Sequence, residues 1–267
     1  MTAQAHSSSR ALAKIPGFES TAYAYSQGRV VWAGDAAATQ STGITRHPRD
    51  LRAPWLPVAQ RFDAAQLRRG AGVCRQLFEV AHSRGLQAKG LMLWLTGQPM
   101  AFPLNHATAR FDAVRDALLQ RDVQAFEAAA IRVLGLGHGL TPSGDDFVGG
   151  VFFALAKLPK EALGAAWSRD LPEAAARIRN AANTATNVIS AALLSDLMAG
   201  ESYSVLHDLL AALESGVAIN IEAAYAHLLR LGATSGSDML AGVLLALTSE
   251  PPDCELEPDT ATLQNSQ

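Results

Sequence analysis

The sequence predicts an α+β chain, β-rich over residues 20–104 and mainly helical over residues 105–249. Three observations predict it. β-branched and aromatic residues cluster in the first third, in "TAYAYSQGRVVWAG" and "LMLWLTGQPMAF". Apolar residues recur at helical spacing from residue 105 onward. A glycine-rich string at residues 135–150, "GLGHGLTPSGDDFVGG", leads straight into an apolar run.

Taken in order, residues 1–15 and 250–267 are polar and read as disordered tails around a single domain at 16–249. "TAYAYSQGRVVWAG" is expected to be a hairpin turning at Gln27-Gly28. A helical pattern covers residues 63–83, and "LMLWLTGQPMAF" reads as a second hairpin turning near Gly97-Gln98. Asn105 is placed to cap a helix whose stripe is Ala107, Phe111, Val114 and Leu118. Asp122 is placed to cap the next, with Val123, Phe126, Ala130 and Val133 on one face and Gly135 at its end. Asp170 with Glu173 resembles a capping box, with Pro172 in the first turn, opening a long helix toward Gly200. Two shorter helices follow near 203–214 and 221–231, the latter capped by Asn220 and ended by Gly232.

Composition narrows the function. A formal charge of -3 argues against a nucleic-acid footprint, which is strongly basic. Cys74 and Cys254 lack zinc or redox spacing, so a reducing cytoplasm is the expected setting. The start "MTAQAHSSSR" lacks the apolar stretch of a signal peptide, and "FVGGVFFALA" and "MLAGVLLAL" are about half a bilayer span. A soluble protein without nucleic-acid or membrane partners is expected. No Gly-Lys-Ser/Thr triplet exists, which excludes a P-loop.

The most specific internal signal is a repeat. T-P-S-G-D-D-F-V-G-G-V-F-F-A-L at 141–155 aligns with T-S-G-S-D-M-L-A-G-V-L-L-A-L at 234–247, Pro142 being inserted. Thr141 matches Thr234, Ser143 matches Ser235, Gly144 matches Gly236, Asp146 matches Asp238 and Gly150 matches Gly242. Both following helices are apolar all round, so both should be buried. Gly150 and Gly242 would let them approach closely, and their N-termini, with hydroxyls alongside, would make an anion site.

Each residue also has a plainer reading. Ser143, Asp146, Ser235 and Asp238 fit helix caps. One acid suffices for a cap, so Asp145 is surplus, and Asp145 with Asp146 could hold a divalent cation such as Mg2+. His138, between Gly137 and Gly139, is either a ligand-facing group or a surface loop histidine. Further along, Asn180, Asn183, Asn187 and Ser190 recur on one helical face flanked by Thr184 and Thr186. That uncharged stripe reads as a solvated face, a buried polar network or a contact with a polar ligand. Arg46, Arg49 and Arg52 in "TRHPRDLR" are anion-binding candidates or a charged surface loop.

"GLGHGLTPSGDDFVGG", "NTATNVISAALLSDLMAGE" and "LGATSGSDMLAG" resemble the signature segments of the AllH family, typified by a subunit of oxamate carbamoyltransferase in allantoin breakdown. The resemblance runs from about residue 20 to 248 and is strongest after residue 135. It implies phosphorolysis of a carbamoylated amide with partner subunits, over a small anion such as carbamoyl phosphate, oxamate or a related ureide. Thr184-Ala185-Thr186 departs from a paired threonine of the family, which leaves open which hydroxyl would act. Read from the residues themselves and not from the resemblance, the expected site combines Asp145, Asp146 and His138 as catalytic candidates with a binding set. That set is Gly137, Gly139, Thr141, Ser143, Gly144, Asn183, Thr184, Asn187, Thr234, Ser235, Gly236 and Asp238. The alternatives are a non-catalytic scaffold subunit and a stand-alone metal-dependent hydrolase using His138, Asp145 and Asp146.

Overall fold

The computed structural model describes residues 13–14, 16, 23–26, 29–32, 62–83 and 89–249. Strands β1 (Ala13–Lys14), β2 (Tyr23–Ser26) and β3 (Arg29–Trp32) form a small antiparallel sheet with β2 central. Ser26 stands opposite Arg29. Ala13 and Lys14 lie within the expected N-terminal tail. The turn at 27–28, Arg46, Arg49, Arg52, Cys254 and the expected C-terminal tail fall outside the described residues.

The β-rich first third is overturned, because the fold is mainly helical. The pattern at 63–83 is helix α1 (Ala64–Ser83), and "LMLWL", expected as a strand, is helix α2 (Leu91–Leu95). Leu91, Met92 and Trp94 are all buried, a pattern that strand alternation cannot satisfy. The first free N–H of α2, at Leu91, is met by the Asp238 carboxylate at 2.6 Å, a contact from 147 residues away that local pattern cannot reveal. Gly97, with φ 73, follows the helix and does not turn a hairpin.

Helices α3 (Thr108–Leu119), α4 (Val123–Val133) and α5 (Ser143–Lys157) follow. The expected stripes on α3 and α4 are buried throughout. Asp122 caps α4 by accepting the Ala125 N–H at 2.9 Å. Asn105 does not cap α3; it lies in a 3-10 turn, and its carbonyl accepts the Thr108 hydroxyl. After a short α6 (Lys160–Leu163), helix α7 (Ala165–Ala185) starts before the expected Asp170 cap and runs through Pro172. Asp170 pairs with Arg169. Buried Trp167 packs against Phe126 of α4, ring centroids 5.5 Å apart, which draws residues 165–169 into the helix.

The long helix toward Gly200 is two helices, α7 and α8 (Val188–Met198), broken at extended Thr186. Helices α9 (Ser204–Ser215), α10 (Ala218–Leu228) and α11 (Ser235–Thr248) complete the described residues; Asn220 lies inside α10 and caps nothing.

The helices repeat as a set. The order α1 to α5, of 20, 5, 12, 11 and 15 residues, recurs as α7 to α11, of 21, 11, 12, 11 and 14. Packing repeats too: α3 lies on α4 as α9 lies on α10, and α5 contacts α8 as α11 contacts α2. The turn between each short pair carries one positive φ, at Arg121 (54°) and Gly216 (66°).

At the centre α5 packs along α11, and both are buried from the first turn nearly to the end. A Cβ on Gly150 would collide with the Met239 carbonyl oxygen, and one on Gly242 with that of Phe147. Backbone therefore touches backbone at the crossing, as the matched glycines predicted. This contact fixes the two helix starts side by side.

Candidate functional site

The two loops reach their helices by the same path. Gly144 donates its N–H to the Leu136 carbonyl at 2.9 Å, and Gly236 donates to that of Leu231 at 3.0 Å. A Cβ on Gly144 would strike the carbonyl oxygen of Val133, the last residue of α4; one on Gly236 would strike that of Leu228, the last of α10. Upstream, Gly137 and Gly232 each have positive φ and lie against Ser143 and Ser235 respectively. The repeat therefore starts earlier than the threonines, with V-L-G-L-G at 133–137 against L-L-R-L-G at 228–232. That match is readable in the sequence but lies outside the repeat as aligned from Thr141 and Thr234.

The side chains then cross over. The Thr141 and Ser235 hydroxyls are 2.8 Å apart, joining the loops. Both bear on the Asp146 carboxyl, while Ser143 and Thr234 bear on Asp238. Each aspartate thus takes the threonine of its own loop and the serine of the other, a reciprocal arrangement about the α5–α11 crossing. Asp146 is 5% exposed and Asp238 is fully buried.

Burial pushes the Asp146 carboxyl well above the usual carboxylate range, and nearby Asp238 adds to the rise; the Ser235 and Thr141 hydroxyls oppose it. Burial likewise pushes Asp238 up to about 6, against hydrogen bonds from the Leu91 N–H, Ser143 and Thr234. Among the described residues, Oδ2 of Asp146 and Oδ2 of Asp238 are buried without a hydrogen-bond partner. Burial of this kind favours the protonated form, in which a carboxyl becomes a donor.

Neither α5 nor α11 is capped by a side chain of its own, so Ser143, Asp146, Ser235 and Asp238 are not the caps that the plainer reading expected. Asp145 instead ties down neighbouring chain. It accepts the Gly135 N–H at 2.8 Å, the Ser190 hydroxyl at 2.6 Å and the Thr186 hydroxyl. Burial raises its carboxyl while these three donors lower it. Ser237, its counterpart in the repeat, donates to the Lys89 carbonyl at 2.6 Å. Both positions anchor the segment ahead of a contacting helix, α8 or α2.

The polar stripe is divided. Asn187 caps α8 through the N–H groups of Ile189 and Ser190, and its amide donates to the Leu140 carbonyl at 2.8 Å. Ser190 is buried on Asp145, whereas Asn180, Asn183 and Thr184 are exposed on α7. His138 and Gly139 are exposed on the loop, and the His138 ring stands 6.3 Å from that of Phe102. The structure thus brings together Thr141, Ser143, Asp146, Thr234, Ser235 and Asp238, with Gly144 and Gly236 beneath them. It leaves Asn183, Thr184 and His138 at the surface.

The donor set does not suit a bound Mg2+. No group of three or more His, Cys, Asp or Glu among the described residues is arranged for a metal. Magnesium keeps several waters, whereas Asp145 and Asp146 are buried and the oxygens of Asp145 are already engaged. No helix among the described residues is long and apolar enough to cross a membrane.

Residues 133–247, which hold both loops and both central helices, match the family model described as oxamate carbamoyltransferase subunit AllH. Comparisons with curated proteins and with solved structures find no match.

Proposed function

We propose, from the premise that residues 133–247 are AllH-like, that the chain is a subunit of an oxamate carbamoyltransferase-type complex. In this reading it binds a small carbamoyl- or carboxylate-bearing substrate at the crossed loops. The reaction would be phosphorolysis of oxalurate to oxamate and carbamoyl phosphate: the phosphate oxygen attacks the carbamoyl carbon, and the C–N bond to oxamate breaks as its nitrogen takes a proton. Negative charge develops on the carbamoyl oxygen during attack. A donor aimed at that oxygen lowers the barrier most.

The observation that carries the reading is the buried Asp146 carboxyl, its Oδ2 unpartnered and its ionisation disfavoured by burial, beside the Thr141–Ser235 hydroxyl pair. In its protonated form Asp146 would also lack the repulsion that an ionised acid exerts on a phosphate near two helix N-termini. Partner subunits would complete the site.

Calorimetric titration with carbamoyl phosphate and with oxamate tests this. Asp146→Asn keeps a neutral donor, so its affinity should stay within about threefold of wild type. Asp146→Ala should weaken binding by about tenfold or more, the usual loss for one buried donor. Equal heats from wild type and Asp146→Ala would contradict the site.

A scaffold role has its own support, because Asp145 and Ser237 serve to fasten neighbouring segments. Reconstituted complex with Thr141→Val and Ser235→Ala separates the two readings. Full activity would favour the scaffold, and loss of turnover with intact assembly the binding site.

A further inference from the structure

At the far end of α5 from the loops, a groove of about 320 Å³ opens between the end of that helix, α6 and the first half of α7. Along α5 the groove-lining Phe152, Leu155 and Ala156 stand six to ten residues beyond Asp146, roughly 9–15 Å at 1.5 Å per residue. Its size falls at the lower end of small-ligand pockets. Leu155, Leu158, Leu163, Leu171 and Met198 supply apolar walls. The charged side chains of the lining, Lys160 and Arg179, are both basic, and no acid lines the groove.

Arg179 is the informative residue. Two positions before it on α7, Arg177 takes both nearby acids, Glu127 at 2.7 Å and Glu173. Among the described residues Arg179 has neither an ion pair nor a hydrogen bond, although it is half-buried against the apolar wall. A guanidinium held in that position presents a planar set of donors matched to a carboxylate.

We infer that this groove binds a small amphipathic carboxylate, its head on Arg179 with Lys160 alongside and its apolar body on the leucine wall. The site is separate from the crossed loops and does not depend on their function.

Octanoate is a suitable probe, with 1-octanol as its neutral counterpart, titrated calorimetrically into the full chain. Wild type should bind octanoate and favour it clearly over the alcohol. Arg179→Gln should weaken octanoate by about tenfold, the loss of a charge-assisted contact. Lys160→Gln should weaken it less. Because both residues sit at a partly open surface, circular dichroism of the variants should match wild type. Any of three results would overturn the inference: no octanoate binding up to about 1 mM, equal binding of acid and alcohol, or unchanged affinity in Arg179→Gln.

Discussion

Alanine at Gly150 or at Gly242 is expected to destabilise the fold by about 3 kcal/mol, the upper range for overpacking a close-packed interior. At both positions the added methyl would meet backbone of the partner helix, Met239 or Phe147, and not a side chain that could rotate away. Relief requires α5 and α11 to separate along their contact, and that separation also loosens both loop starts. Urea unfolding of the purified variants measures the loss. Gly72→Ala is the internal control: Gly72 lies within α1, nothing comes within 4 Å of an added Cβ, and helix propensity should stabilise by about 0.5–1 kcal/mol. Similar behaviour of Gly72→Ala and Gly150→Ala would remove the close-approach account of the crossing.

The second large effect is a change in pH dependence. An Asp238 carboxyl raised from 3.8 to about 6 stabilises the fold fully below pH 3.8, and that contribution is lost as pH rises through 6. The span corresponds to about 3 kcal/mol. His207 works in the opposite direction, since burial lowers its ring to about 4 and its contribution is lost as pH falls below 6.5. The wild-type profile alone therefore mixes these two with the raised carboxyls of Asp145 and Asp146, and the informative quantity is the difference from Asp238→Asn. The amide can still accept the Leu91 N–H and present its NH2 to the Ser143 and Thr234 hydroxyls. Relative to wild type, Asp238→Asn should gain about 3 kcal/mol between pH 3 and pH 7. Parallel profiles by urea unfolding across that range would show that Asp238 is an ordinary carboxylate.

The parts of this architecture that were legible in the sequence share one property: their signal is local or repeated. Helical stripes such as Phe111, Val114 and Leu118 follow from spacing alone, and Asp122 needs only its own first turn. The matched glycines of α5 and α11 were legible because two copies could be compared. What failed depends on distant chain. "LMLWL" carries strand-like residues, yet Asp238 supplies the helix start from the other half of the molecule. The asparagine stripe has helical period, but Asn187 bonds to Leu140 and Thr186 to Asp145, which breaks the helix between them.

The site was half legible for the same reason. Correspondence between Thr141, Ser143, Asp146 and Thr234, Ser235, Asp238 marked the residues, but not that they exchange partners across the crossing. Asp145 looked like surplus charge because its three donors come from Gly135, Thr186 and Ser190, two of them over 40 residues away. The five-helix repeat is carried by helix order and packing, and its sequence trace is confined to the two loops, the residues leading into them and the central helices α5 and α11.

The two loops form one reciprocal cluster, and its burial raises the Asp146 carboxyl well above the usual carboxylate range. Carbon-13 NMR of the side-chain carboxyls, assigned with Asp146→Asn and Asp238→Asn, tests it most directly. An Asp146 resonance that titrates well above the usual carboxylate range is expected, with the Asp238 resonance titrating near pH 6. Ser235→Ala should push the Asp146 titration higher still, because it removes a hydroxyl that favours the ionised form. Titration of both carboxyls near 3.8, unchanged by Ser235→Ala, would contradict the account.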